Sequence, residues 1–183
     1  MESGPVNEPD AARLVLLRHA KSAWPPDAAD HERPLAPRGR RDAPAAGRLL
    51  RETGCVPDLV ICSTARRARE TWDLAAEQLG VEVPVRYDER VYGADPAELI
   101  DVLRQVPAGV GTALLVGHNP GMEDLAAGLT GGAEGDALVR MTEKFPTSAY
   151  AVLGFAGGWP ALAPGSARLT AFVVARGDRT GRA

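Results

Sequence analysis

The most informative stretch of the chain is a short apolar run that leads directly into an arginine and a histidine. Residues 14–17 are all apolar, and Arg18 and His19 follow them. An unbroken apolar run of this length is typical of a strand that is buried on both faces of a parallel sheet. Open α/β sheets bind ligands outside the carboxyl ends of their strands. Arg18 and His19 therefore stand where a ligand is expected.

Two later apolar runs end in the same way. Residues 58–62 are followed by Ser63 and, at the start of a predicted helix, by Arg67, and residues 112–116 lead into His118. The carboxyl ends of parallel strands share one edge of the sheet. We therefore expect two histidines, at least two arginines and the N-termini of two helices to converge there.

This combination of side chains suits a dianionic phosphoryl group. Arginine binds phosphate oxygens in a bidentate manner, and helix N-termini supply N–H donors and positive partial charge. Neighbouring cations lower the pKa of a histidine, and a neutral imidazole can act as a covalent nucleophile. Taken singly, His118 is also compatible with a structural role. Arg66, Arg67 and Arg69 cannot all face one site, because neighbouring helical residues point in different directions.

The elements that must position these groups alternate between strands and helices. The pattern predicts strands over residues 13–17, 58–62, 81–86, 112–116, 148–155 and 168–174, and helices over residues 38–53, 64–79, 95–106 and 119–129. This alternation predicts a three-layer α/β/α sandwich with a mostly parallel sheet. The last two strands have no helix between them, so one of them is expected to be antiparallel. The long irregular stretch between the first strand and the first helix is typical of a functional or mobile loop.

Composition narrows the possible classes. The chain has 183 residues and a net charge of −3, which suits one domain without a general attraction to nucleic acid or anionic membranes. Its only cysteines, Cys55 and Cys62, form no disulfide framework, and we expect a cytoplasmic protein. We predict a disordered lead-in over residues 1–12, one domain over residues 13–176 and a flexible tail over residues 177–183. The oligomeric state stays open.

Four segments resemble motifs of the histidine phosphatase (phosphoglycerate mutase-like) superfamily. Residues 17–20, Leu-Arg-His-Ala, resemble its Arg-His-Gly signature, and residues 63–71, Ser-Thr-Ala-Arg-Arg-Ala-Arg-Glu-Thr, resemble its Ser-Pro-x-x-Arg-Ala-x-x-Thr segment. Residues 116–119, Val-Gly-His-Asn, resemble its second-histidine segment, and residues 34–39 resemble its Leu-Thr-x-x-Gly turn. The short chain and the Arg-His-Ala-Lys-Ser opening are most similar to the small phosphohistidine phosphatase branch, the SixA type.

The resemblance implies a role for each matching residue. His19 would be the nucleophile that becomes phosphorylated, and Arg18 and Arg67 would bind the phosphoryl oxygens. His118 would donate a hydrogen bond to the phosphoryl group, and Ser22 would be a further phosphate contact. The motif alignment selects Arg67 over its two arginine neighbours. No cofactor is implied.

The chain departs from the family pattern at three positions. Ala20 replaces the usual glycine, Thr64 replaces the usual proline, and Pro25 stands where mutases have a substrate-binding asparagine. The last departure argues against a mutase.

The general acid that many family members carry has no clear counterpart. The nearest candidates are Asp88 and Glu89, with Asp27 and Asp30 as others, and we expect all four to be ordinary solvated carboxylates. We retain Glu89 as the candidate to be tested.

Other phosphate and metal chemistries do not match. A cysteine phosphatase that used Cys62 would need an arginine six positions later, where Ala68 stands. The chain has no Gly-x4-Gly-Lys-Ser/Thr run and no complete dinucleotide-binding glycine fingerprint. The cysteines lack ligand spacing and His31-Glu32 has no histidine at the next helical position, so no metal site is predicted. His31 is expected to be a loop residue that contacts substrate or solvent.

The expected function is therefore a phosphatase that works through a phosphohistidine enzyme intermediate, with phosphohistidine on a partner protein as the expected substrate. Two alternatives remain open. The protein could hydrolyse small phosphomonoesters, or it could bind phosphoproteins without turnover. An assay of phosphate release on a generic phosphoester and on a phosphohistidine peptide separates the catalytic readings from the binding module.

Overall fold

A computed structural model of the chain describes residues 11–178, which contain one seven-stranded sheet and five α-helices. The strands are β1 (Ala12–Arg18), β2 (Leu59–Ser63), β3 (Val85–Asp88), β4 (Thr112–Gly117), β5 (Thr130–Ala133), β6 (Ala149–Phe155) and β7 (Ala167–Val174). The helices are α1 (Pro37–Glu52), α2 (Arg66–Ala76), α3 (Pro96–Arg104), α4 (Gly121–Leu129) and α5 (Ala137–Glu143). Predictions for residues 1–10 and 179–183 lie outside the described residues.

The sheet has the strand order β3-β2-β4-β1-β6-β7-β5. β1, β2, β3 and β4 pair in parallel, whereas β6 is antiparallel to both of its neighbours. The prediction of a mostly parallel sheet with one antiparallel strand among the last two is therefore confirmed. In the parallel register Arg18 lies beside Gly117, so the residues that follow both strands emerge at the same edge.

Helices cover both faces of the sheet, as the three-layer prediction required. One apolar core lies between the sheet and α1 and α2, and the other lies between the sheet and α3, α4 and α5. Both faces of β1 and β4 are buried, which explains why these strands are nearly continuous apolar runs. None of the helices that residues 11–178 form has the length and apolar character that crossing a bilayer requires.

A close backbone approach between α1 and α2 fixes the position of the arginine-bearing helix. A Cβ atom at Gly47 would lie only 2.0 Å from the carbonyl oxygen of Ala75. No side chain larger than that of glycine can be accommodated at this point without moving one of the helices. The packing therefore fixes α2, with Arg67 in its first turn, close against α1.

Several element boundaries differ from the prediction. β5 and α5 were not predicted, because β5 contains two glycines and α5 has only seven residues. α2 begins at Arg66 rather than at residue 64, since Ala65 is still extended, and α4 begins at Gly121. The domain was predicted to span residues 13–176. In the structure β1 starts at Ala12, one residue before that range. The backbone N–H of Gly177, one residue after it, donates to Asp42 on α1 at 2.9 Å.

Candidate active site

A cleft of about 230 Å³ opens at the carboxyl edge of the parallel strands. The ends of β1 and β4, the first turn of α2 and the loop that follows β1 all contribute to its walls. It contains four cationic side chains and two histidines but no carboxylate among the residues that line it. These residues are Arg18, His19, Lys21, Ser22, Trp24, Arg33, Arg67, His118, Asn119 and Thr147.

His19 is held as one defined tautomer. Its Nδ1 lies 2.7 Å from the backbone carbonyl oxygen of Ala20. Because a carbonyl oxygen can only accept, the proton of the neutral ring is on Nδ1, and Nε2 keeps its lone pair. Nε2 is therefore the nitrogen that can attack a phosphorus atom in the cleft.

The environment of His19 keeps its ring neutral. Burial, followed by the proximity of His118, lowers its pKa to about 3, and the charges of Arg67 and Arg18 act in the same direction. The hydrogen bond to Ala20 opposes these effects without cancelling them. The imidazole is consequently unprotonated and nucleophilic over the whole physiological range.

His118 faces His19, with 5.1 Å between the ring centroids, and burial and the charge of Arg67 lower its pKa to about 4. Its Nε2 is 2.7 Å from Ser63 Oγ, which in turn accepts from the backbone N–H of Ala65. The neutral ring carries its proton on Nδ1 when Ser63 donates to Nε2, and on Nε2 when Ser63 accepts from it. Nδ1 is buried and has no hydrogen-bond partner among the described residues.

The structure separates the three arginines at the start of α2. Arg67 is buried and lines the cleft, where it donates to the carbonyl oxygen of Asp30 at 2.7 Å and to Oδ2 of Asp30 at 3.2 Å. Arg66 is largely exposed and pairs with Glu70, and Arg69 bonds to the carbonyl oxygen of Thr64. Only Arg67 of the three lines the cleft, and its role as the arginine that binds the phosphoryl group stays a prediction.

Arg18 enters the cleft from the end of β1. Its Nη1 donates to the carbonyl oxygen of Phe145 at 2.8 Å, while its Nε has no partner in the described part of the chain. Asn119 also donates to Phe145, at 3.1 Å. The arginine is thus anchored through one nitrogen and retains donors for an anion.

The backbone around the nucleophile is braced from two sides. Thr71 on α2 donates to the carbonyl oxygen of Arg67 at 2.7 Å and accepts from the backbone N–H of Ala20 at 2.9 Å. The backbone N–H of Ser148 lies 3.2 Å from the carbonyl oxygens of Arg18 and His19, and Ser148 adopts a φ of 62° that is uncommon for serine. The sequence predicted neither contact as a support for the histidine.

Asp30, one of the carboxylates considered as the general acid, contacts Arg67, and the sequence did not predict this contact. Its carboxylate accepts hydrogen bonds from Arg67, Arg33 and the hydroxyl of Tyr92, which is distant in the sequence. These bonds, led by those from Tyr92 and Arg33, hold the pKa of Asp30 far below its usual range. The group is therefore a fixed anion that orients Arg67, and it has no proton to donate.

The other carboxylates proposed as the general acid lie away from the cleft lining. Glu89 and Asp27 are exposed, and Asp88 is bound by Arg90, whose hydrogen bonds lower the pKa of Asp88. The role of Glu89 stays a prediction. His31 is half-buried and bonds through Nε2 to Thr64 Oγ1 at 2.9 Å.

Ser22 does line the cleft. Its Oγ accepts from Arg33 Nη2, which leaves the hydroxyl proton free to donate to a phosphoryl oxygen. Its assignment as a phosphate contact stays a prediction that this geometry permits.

The buried neutral histidines predict an acid-sensitive fold. A histidine in the unfolded chain has a pKa of about 6.5. As the pH falls below that value, His19 and His118 become protonated in the unfolded chain but stay neutral in the folded protein. The free energy of unfolding should then decrease by up to about 1.4 kcal/mol per pH unit for each histidine until the pH approaches the native values. Urea unfolding between pH 7 and pH 4.5 measures this slope. His118→Gln should flatten it, and an unchanged slope in that variant would contradict the assignment.

Comparison with known proteins agrees with the motifs. The family model described as histidine phosphatase superfamily (branch 1) matches residues 14–95. The uncharacterized protein Rv1276c of Mycobacterium tuberculosis is 48% identical over 162 residues, which cover 87% of this chain and 100% of that protein.

Two solved structures extend the likeness over the whole fold. The SixA structure from Nakamurella multipartitia has a TM-score of 0.77 and 34% identity, and covers 89% of this chain and 95% of its own. The SixA structure from Agrobacterium tumefaciens has a TM-score of 0.73 and 31% identity, and covers 88% of this chain and 97% of its own. With the family motifs gathered around one cleft, the chain belongs to the histidine phosphatase superfamily and, within it, to the SixA-type branch.

Proposed function

We propose that the protein is a phosphohistidine phosphatase that removes the phosphoryl group through a covalent intermediate on His19. The observation that carries this proposal is the neutral, Nδ1-protonated His19 in a cleft with Arg18, Arg67 and His118. The Nakamurella and Agrobacterium structures are described as those of a "putative phosphohistidine phosphatase SixA", and their names favour the same substrate class.

In the first step, Nε2 of His19 attacks the phosphorus atom, and the bond from phosphorus to the leaving group breaks. Arg18 and Arg67 stabilise the negative charge on the transferring oxygens, and His118 donates a hydrogen bond from Nδ1. A phosphohistidine whose other ring nitrogen is protonated by solvent leaves as neutral imidazole. The lining needs to supply no acid for this departure.

In the second step, a water molecule attacks the phosphorus atom of phosphorylated His19. The bond between phosphorus and Nε2 breaks, inorganic phosphate leaves, and the water proton passes to the phosphate or to solvent. The hydrogen bond from Nδ1 to Ala20 persists through both steps, so His19 returns to the same tautomer.

Buried, unpaired Cys55 and Cys62 favour a reducing compartment, and we propose the cytoplasm as the place of action.

The leaving-group requirement provides the test of this function. An alkoxide needs a positioned general acid, an effect of about 10²–10⁴ in rate, and the cleft lining offers no carboxylic acid. We expect kcat/KM for a phosphohistidine peptide to exceed that for an alkyl phosphate such as phosphoglycerate by a factor in this range. Glu89→Gln should change neither value. A preference for the alkyl ester that Glu89→Gln removes selectively would make the protein a phosphomonoesterase with Glu89 as its acid. No phosphate release from any substrate would favour a binding module.

The different positions of Arg66, Arg67 and Arg69 relative to the cleft give a second prediction. Arg67→Ala should lower kcat/KM by about 10²–10⁴, the range seen when a preorganised donor to a developing oxyanion is removed. Arg66→Ala is the matched control, because it removes the same charge one residue away on the exposed face of α2. Arg66→Ala and Arg69→Ala should both remain near the wild-type value. Equal losses in all three variants would show that the phosphoryl group binds elsewhere, and melting temperatures would identify any loss caused by unfolding.

A further inference from the structure

Trp24 is an exposed aromatic residue on the wall of the catalytic cleft. Its relative exposure is 74%, and it lines the same cleft as His19, Ser22 and His118. A large indole usually contributes buried area to a core or a binding surface. Trp24 contributes its area to the mouth of this cleft instead.

A buried arginine supports one face of this indole. The guanidinium carbon of Arg33 lies 3.2 Å from the ring centroid of Trp24, within cation–π range. Arg33 is only 7% exposed, and it donates to the carbonyl oxygen of Ala23, to Oδ1 of Asp30 and to Ser22 Oγ. The guanidinium is therefore fixed by three partners and serves as a rigid base under the ring.

Hydrogen bonds join the two ends of the loop that carries Trp24. Ser22 and Leu35 form an antiparallel bridge, and the backbone N–H of Ala23 donates to the carbonyl oxygen of Pro34 at 2.8 Å. One residue pair further along, the N–H of Ala36 donates to the carbonyl oxygen of Lys21, also at 2.8 Å. The indole is thus presented on a braced support, which lowers the entropic cost of binding a ring against it.

The size of the cleft restricts what can lie against the open face of the indole. Its volume of about 230 Å³ is below the roughly 300–1,000 Å³ of a pocket for a drug-sized ligand. Trp24 lines the same cleft as His19 and Arg67, so the leaving group of a phosphoryl group transferred to His19 departs from a cleft that has the indole on its wall. We propose that Trp24 stacks on the ring of the leaving group, the imidazole of phosphohistidine, and so selects planar leaving groups over flexible ones. This inference rests on the proposed function and deepens it.

Stacking makes a prediction that phosphoryl binding alone does not. Free phosphohistidine and phosphoramidate share the P–N bond, but only phosphohistidine has a ring. Trp24→Ala should lower kcat/KM for phosphohistidine by about 3- to 10-fold, the range of an aromatic pair, and should change the value for phosphoramidate by less than about twofold. Trp24→Phe should restore most of the loss. Tyr87→Ala, which removes an exposed aromatic residue outside the cleft lining, is the control and should alter neither substrate.

The outcomes separate the stacking proposal from the proposed function. An equal loss on both substrates in Trp24→Ala, or no loss on either, would overturn the stacking role while wild-type turnover of phosphohistidine upheld the function. A loss seen only with a phosphohistidine peptide, and not with free phosphohistidine, would also overturn it and would assign Trp24 to contact with the polypeptide. If the wild type does not hydrolyse phosphohistidine, the proposed function fails. The stacking role of Trp24 is then tested with an aryl phosphate and an alkyl phosphate. Trp24→Ala should lower kcat/KM only for the aryl phosphate.

Discussion

The chemistry of this site depends on keeping one imidazole neutral beside several cations. His19 is buried next to His118, Arg18 and Arg67, and each of these neighbours disfavours a proton on the ring. The carbonyl oxygen of Ala20 then decides which nitrogen carries the single remaining proton. The same positive groups that would bind a phosphoryl dianion therefore also preserve the lone pair that attacks it. Burial has the largest effect on the pKa of His19, and the charges of the arginines add to it.

The positions of the carboxylates are also consistent with a site that binds an anion. A carboxylate in the lining would compete with substrate for the arginines, and the residues that line the cleft include none. Asp30 accepts hydrogen bonds from Arg67, and its hydrogen bonds from Tyr92 and Arg33 keep it ionised. It orients the arginine without supplying a proton. This arrangement suits leaving groups that depart without help and is poorly suited to alkoxides.

The sequence was sufficient for the parts of the molecule that depend on local pattern. Buried apolar runs predicted the central strands, and the strand-end rule predicted that Arg18, His19 and His118 would meet at one edge. Family motifs then selected Arg67. The catalytic roles of these residues stay predictions, although the geometry brings all four into one cleft.

The remaining features depend on contacts that local pattern does not encode. Asp30 and Tyr92 are far apart in the chain, and only the packing of the loop against the segment before α3 makes them partners. The stacking of Arg33 on Trp24 requires the bridge between Ser22 and Leu35 that joins the two ends of the same loop. β5 was missed because a glycine-rich edge strand has almost no propensity signal. Its Gly131 is required by tertiary packing, since a Cβ atom there would lie 2.1 Å from the carbonyl oxygen of Gly165.

The central claim is that His19 receives the phosphoryl group. Rapid-quench mixing of the enzyme with a ³²P-labelled phosphohistidine peptide, followed by peptide mapping, tests it most directly. We expect an acid-labile label on His19 that forms and decays at rates compatible with turnover, and no label in a folded His19→Ala variant. A label on any other residue, or full turnover by His19→Ala, would contradict it.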